Sequence, residues 1–162
     1  MRMTKLITAL AVLSLVLFGW NCKDDEETPV IPEKYVGTWK ANVNLEGTLI
    51  QYAPVSDPES GVDVRFLGAA ITVTLNKDGT FTLIFVEPGA GQEEDAGTVA
   101  LDEDLNILVL NSNNPLGEDL IFAYEWDGDN TIILTTETDF DYDLDGPNPP
   151  VPSIVTVILK RS

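Results

Sequence analysis

Ile71-Thr72-Val73-Thr74-Leu75-Asn76-Lys77-Asp78-Gly79-Thr80-Phe81-Thr82-Leu83-Ile84-Phe85-Val86 is the stretch whose reading decides the fold. Ile71, Val73 and Leu75 alternate with threonines, and on the return Phe81, Leu83 and Phe85 share one face. A period of two puts alternate side chains on opposite faces of a pleated strand. Between the two runs, Asp78-Gly79 supplies the positive φ that a tight hairpin needs. The stretch is therefore a hairpin with one apolar face, and Pro88-Gly89 ends it.

The same pattern spreads in both directions. Trp39, Ala41, Val43 and Leu45 alternate with Lys40, Asn42 and Asn44. Gly97 to Leu101 and Leu105 to Leu110 flank the turn Asp102-Glu103-Asp104, and Asn111 to Gly117 is a polar loop. Leu120, Phe122, Tyr124 and Trp126 line one face of a strand closed by Asp127-Gly128-Asp129-Asn130. Thr131 to Thr138 and Ser153 to Leu159 supply the last strands. Gln51 to Asp63 is the longest early stretch between strands and reads as an overhang for a barrel mouth. No segment carries a helical stripe, so the expected class is all-β. Its strands are filled with threonine and β-branched residues and joined by short hairpins.

A meander of this length escapes free edges by closing on itself. An antiparallel up-and-down β-barrel of about eight strands is the first expectation. A β-sandwich is the alternative, because alternation cannot separate one closed sheet from two packed ones. Eight-stranded barrels either fill their interior or hold one small ligand. The aromatic residues available for a cavity wall are Phe81, Phe85, Phe122, Tyr124 and Trp126, a set that serves a packed core equally well.

The chain divides into an export segment (1–22), an acidic flexible tether (23–33) and the β domain (34–162). Arg2 and Lys5 precede the uncharged run Leu6 to Phe18, which is shorter than the roughly 20 residues of a membrane span. It has the proportions of a secretory signal. An uncleaved membrane helix or a plain signal peptide would fit the same run. Cys22 is the single cysteine, so no intramolecular disulfide exists. Lys23-Asp24-Asp25-Glu26-Glu27, with Pro29 and Pro32 beyond, reads as solvated tether.

Charge excludes whole classes of function. Of 9 basic residues, Arg2 and Lys5 lie in the export segment, leaving 7 against 27 acids and a net charge near −20. Nucleic acid is excluded as a partner for want of any basic stripe. Anionic polysaccharides are disfavoured on the same ground. A small apolar molecule, a neutral glycan, a cation or a partner protein remains, with oligomeric state open. The chain has no histidine, so the commonest general base and zinc ligand are missing, and the protein is expected not to be an enzyme.

Asp139-Phe140-Asp141-Tyr142-Asp143-Leu144-Asp145-Gly146 has metal-ligand spacing. From Asp141 it matches the first half of a calcium loop, with carboxylates at positions 1, 3 and 5 and glycine at 6. Position 12 is Pro152, where a bidentate glutamate belongs. Calcium on Asp139, Asp141, Asp143 and Asp145 is thus one reading, and a strand with an acidic outer face is the other. No cofactor besides calcium is indicated.

Tyr35-Val36-Gly37-Thr38-Trp39-Lys40 resembles the Gly-x-Trp opening of the lipocalin and lipocalin-like families, and the Asp78-Gly79-Thr80-Phe81 hairpin is similar to one common in lipocalin-like lipoproteins. The resemblance implies that Gly37 admits a close approach and that Trp39 closes the barrel base. A basic residue from the barrel's end, Arg161 or Lys160, would pack over that tryptophan. Met1 to Cys22 resembles a bacterial lipoprotein signal, which implies that Cys22 carries acyl chains such as palmitate, although Trp20-Asn21 stand where small residues are usual. The acidic run after Cys22 resembles the export tag of surface-exposed lipoproteins of Bacteroidetes-type bacteria. Together these imply an exported, non-catalytic cell-envelope protein, lipid-anchored to the outer membrane and binding a small apolar molecule or glycan at a barrel mouth. A ligand-free accessory module of a surface complex and a calcium-binding surface module are the alternatives.

Overall fold

The last strand of the chain returns to pair with the first, so the sheet has no break. A computed structural model describes residues 31–115, 117–140 and 150–162. These contain strands β1 (Gly37–Ala41), β2 (Leu49–Pro54), β3 (Val62–Asp63), β4 (Ala70–Leu75), β5 (Thr80–Glu87), β6 (Gly91–Asp102), β7 (Ile107–Ser112), β8 (Leu120–Trp126), β9 (Thr131–Phe140) and β10 (Val151–Arg161). From β4 to β10 each strand pairs antiparallel with the next.

The other edge of β10 is shared. Ser153 to Ile158 pair with β2, and Lys160 and Arg161 pair with β1. β1 and β2 are thus two pieces of one stave, interrupted at 42–48. β1 pairs onward with β4 and β2 with β3, so β3 and β4 are the broken second stave, interrupted at 64–69. Eight staves close into an up-and-down antiparallel barrel. The continuous ring of pairs excludes the sandwich alternative.

Three strand readings need correction. The alternation through Val43 and Leu45 does not prolong β1 past Ala41, because the Asn42 side-chain oxygen captures the Asn44 N–H at 2.9 Å. A local bond of this kind competes with the ladder. Gln51 to Asp63 is not an open overhang, since Leu49–Pro54 is a strand and only 55–61, with a short 3-10 turn at Pro58–Ser60, leaves the sheet. β6 begins at Gly91 rather than Gly97, and its acidic start pairs with β5 down to Glu87. That half of the strand shows no apolar alternation because it rises beyond the core.

The two interruptions brace one another. Thr48 is buried, and its hydroxyl lies 3.0 Å from the Asn42 carbonyl and 2.8 Å from that of Leu45. Arg65, in the 3-10 turn Val64–Leu67, donates to Thr48 Oγ1 at 2.9 Å and pairs with Asp63 Oδ2 at 2.6 Å. Inside the ring, Trp39, Ile50, Val73, Leu75, Phe81, Leu108, Leu110, Ile132, Leu134 and Leu159 are buried. Gly97 sits opposite Phe81, where a Cβ would come within 2.9 Å of the Phe81 ring and 1.9 Å of the Asn111 carbonyl oxygen. Close approach of side chain to backbone is what demands glycine there.

Burial alone would raise the Asp63 carboxyl. The Arg65 guanidinium, the Arg65 N–H and a backbone bond from Ile50 outweigh it and hold the group below its ordinary 3.8. A depressed folded pKa contributes stability that is fully present above the ordinary value and is lost as pH falls through the lower folded one. Urea midpoints of wild type and Asp63→Asn should therefore differ by a constant amount above pH 5. That gap should close below pH 4, and a gap unchanged down to pH 2.5 would show the pair to be unimportant.

Candidate ligand cavity

The barrel has one plugged end and one open end. At the plugged end β1, β8 and the segment before β1 bring four large aromatic rings together. Tyr35 and Trp126 meet at a tilt of 52° with ring centroids 5.2 Å apart, and Trp39 meets Trp126 edge-on at 5.7 Å. Trp39 Nε1 donates to the Tyr35 carbonyl at 2.9 Å, and the hydroxyls of Tyr35 and Tyr124 lie 2.7 Å apart. Tyr35 also donates to Glu103, which pairs with Lys34 at 2.5 Å. Burial raises both tyrosine hydroxyls, while the Lys34 and Tyr35 hydrogen bonds lower the Glu103 carboxyl. The void left between Tyr35, Trp39 and the aliphatic core beside them is about 10 Å³, at most one water.

Arg161 caps this end. Its guanidinium carbon lies 4.6 Å from the Trp39 ring centroid, and it donates to the Lys34 carbonyl. Gly37 has φ +138°, and the Arg161 side chain passes 3.8 Å from where a Cβ would stand. Lys160 occupies a different place, its Nζ lying over Gly47.

The open end holds a cavity of about 430 Å³. Its walls are Tyr52, Ile71, Leu83, Phe85, Leu120, Phe122, Thr136, Thr138 and Val155, and Val73, Leu110, Leu134, Val157 and Leu159 form the floor. Glu93, Glu94, Asp95 and Glu118 stand at the lip. The volume falls in the ~300–1,000 Å³ range of small-molecule sites, as does the largely apolar lining. Burial, with the nearby charge of Glu87, raises the Tyr52 hydroxyl. Asp95 Oδ1 accepts from Ser112 Oγ and from the Ala96 N–H, each at 2.8 Å.

The five aromatic residues singled out in the sequence part company. Phe85 and Phe122 line the cavity. Phe81, Tyr124 and Trp126 share their inward face but lie in the packed end. β5 climbs from Phe81 toward the mouth and β8 descends from Leu120 away from it, so one face of each strand passes through both regions. Alternation records which face a residue is on, and not its depth. The wall residues that alternation left unflagged are Tyr52, taken for loop, and the acids of early β6.

Cys22, Asp141, Asp143 and Asp145 lie outside the described residues, and Asp139 is described only as a backbone position opposite Pro152. Among the described residues no three Asp, Glu, Cys or His side chains come together as a metal site would require.

Neither a known family model nor a curated protein matches the chain. Among solved structures, a lipocalin-like protein from Bacteroides uniformis is 14% identical with a TM-score of 0.45, over 80% of this chain and 99% of that one. An uncharacterized protein from Bacteroides eggerthii is 12% identical with a TM-score of 0.43, over 79% and 99%. The architecture stands on the strand pairing itself.

Arg161→Met keeps the aliphatic stem but removes the charge over Trp39 and the bond to Lys34. Urea unfolding followed by tryptophan emission should show a loss of about 1–2 kcal/mol. A variant as stable as wild type would reduce the cap to an incidental contact.

Proposed function

We propose that this chain is an exported, lipid-anchored and non-catalytic binding protein that takes a small apolar molecule into the mouth of its barrel. The observation that carries the reading is the contrast between the two ends. One is packed to a water-sized void, and the other opens into about 430 Å³ with an apolar floor and walls. A barrel serving only as an accessory scaffold has no use for unfilled volume, since each void in a core forfeits packing energy. The wall chemistry favours an apolar ligand over a glycan. Apart from the acids, the polar side chains lining the cavity are Tyr52, Asn114, Thr136 and Thr138, too few to satisfy the hydroxyl ring of a sugar.

Cys22 is the lipid attachment point in this reading, and the tether, read as 23–33 from the sequence, ends before Ile31, which is buried in the core. Two or three acyl chains would hold the protein stably, each buried methylene contributing about 0.8 kcal/mol. The envelope location follows from the export segment and the acidic run behind Cys22.

The apolar fluorophore N-phenyl-1-naphthylamine tests the cavity. Wild type should bind it with enhanced emission, and Leu83→Trp, which fills the space from β5, should weaken binding at least tenfold while thermal unfolding stays cooperative. Binding indifferent to Leu83→Trp would place the dye elsewhere and remove the support for a ligand at the mouth.

For the anchor, cells fed radiolabelled palmitate should label the wild-type chain. Cys22→Ala should lose the label and leave the membrane fraction. A wild-type chain without label would end the lipoprotein reading and leave the cavity untouched.

A further inference from the structure

We propose that the ligand carries a protonated amine on its apolar body, with the amine held at the lip by Glu93 and Asp95. This rests on the cavity reading above and specifies its ligand class. The β5–β6 register is regular, pairing Phe81 with Gly97, Leu83 with Asp95 and Phe85 with Glu93. Residues directly opposite in an antiparallel pair project to the same face. Leu83 and Phe85 line the cavity, so Asp95 and Glu93 face into it as well. The same face of β6 continues downward through Gly97 to Val99, which is buried, and Leu101, which packs on the core. A strand that presents its core face to the interior thus presents two carboxylates there at the mouth.

Glu93 is exposed and Asp95 half-buried at this rim, so a ligand that covers them takes both out of water. Among the described residues no lysine or arginine lines this cavity. Among the described residues, Lys34 pairs with Glu103, Arg65 with Asp63 and Lys77 with Glu33, while Arg161 caps the opposite end. Glu93 has no hydrogen-bond or ion-pair partner among the described residues. Asp95 is oriented through Oδ1 alone, by Ser112 and the Ala96 N–H. Glu94 and Glu118 add to the negative lip. A carboxylate-headed ligand such as a fatty acid is repelled by this arrangement. A neutral one leaves both acids unpaired when it covers them, and an ammonium supplies three donors to them while its chain fills the apolar volume below.

The test compares decylamine, decanol and decanoate, three heads on one chain, against the full-length protein held in nanodiscs with empty nanodiscs as the blank. Decylamine should bind wild type about tenfold or more tightly than decanol, with decanoate weakest. In Glu93→Gln/Asp95→Asn the amine advantage should fall to within about twofold, with decanol unchanged. Glu93→Gln alone, at an exposed position, should reduce it by threefold or more and serves if the double variant does not fold. Equal affinity of amine and alcohol for wild type would overturn the amine assignment and keep the cavity. An amine preference that survives both substitutions would assign it to the protein's overall charge and overturn the role of the lip. Failure of all three compounds would overturn the cavity reading on which the proposal rests.

Discussion

Closure through β10 is the constraint on which everything else depends. An eleven-residue strand satisfies β9 along one edge and both pieces of the first stave along the other. Without that second edge the sheet would end in two unpaired rows of backbone donors and acceptors, at β1/β2 and at β10. With it, Val155, Val157 and Leu159 become interior, and the register delivers Arg161 beside Trp39. The cation over the tryptophan is therefore a consequence of the same pairing that closes the ring. It is placed two residues past the last buried position of the strand.

The inward faces of four strands change character toward the mouth. Read from the plugged end, β9 runs Ile132, Leu134, Thr136, Thr138, and β7 runs Leu108, Leu110, Ser112. β10 runs Leu159, Val157, Val155, Ser153, and β6 runs Leu101, Val99, Gly97, Asp95, Glu93. These four strands turn polar on their interior face toward the mouth, while β4, β5 and β8 stay apolar through Ile71, Phe85 and Leu120. An interior designed only to pack would stay apolar to its end. A graded one gives an apolar body below and a polar head above the complementary places in a single pocket, as an amphipathic ligand requires.

Much of this was legible in the residues. The Asp78-Gly79 hairpin and the period-two faces of β4, β5 and β8 depend on neighbours in sequence, and they appear where their pattern puts them. The Gly37, Trp39 and Arg161 arrangement followed only from a family resemblance, because nothing local tells Trp39 that it will meet a residue 122 positions away. Depth and register stayed hidden. Phe81 and Phe85 are equivalent by alternation, yet one is core and the other cavity wall, since the distinction lies in how eight strands stagger against one another. The acids of β6 were hidden for the opposite reason. Gln92-Glu93-Glu94-Asp95 looks like loop on hydropathy, and only its pairing with β5 shows that alternate members point inward.

The chain enters the domain at the plugged end, where Tyr35 packs against Tyr124 and Trp126. Ile31 is already buried against the core, so only the eight residues from 23 to 30 are left to act as a tether, roughly 15 Å as a flexible coil. A molecule with a charged amine partitions into water far better than one that is apolar throughout, so it reaches an acidic lip through the aqueous surroundings. The chain's net charge of −18 draws such cations toward it before the lip sorts them by shape.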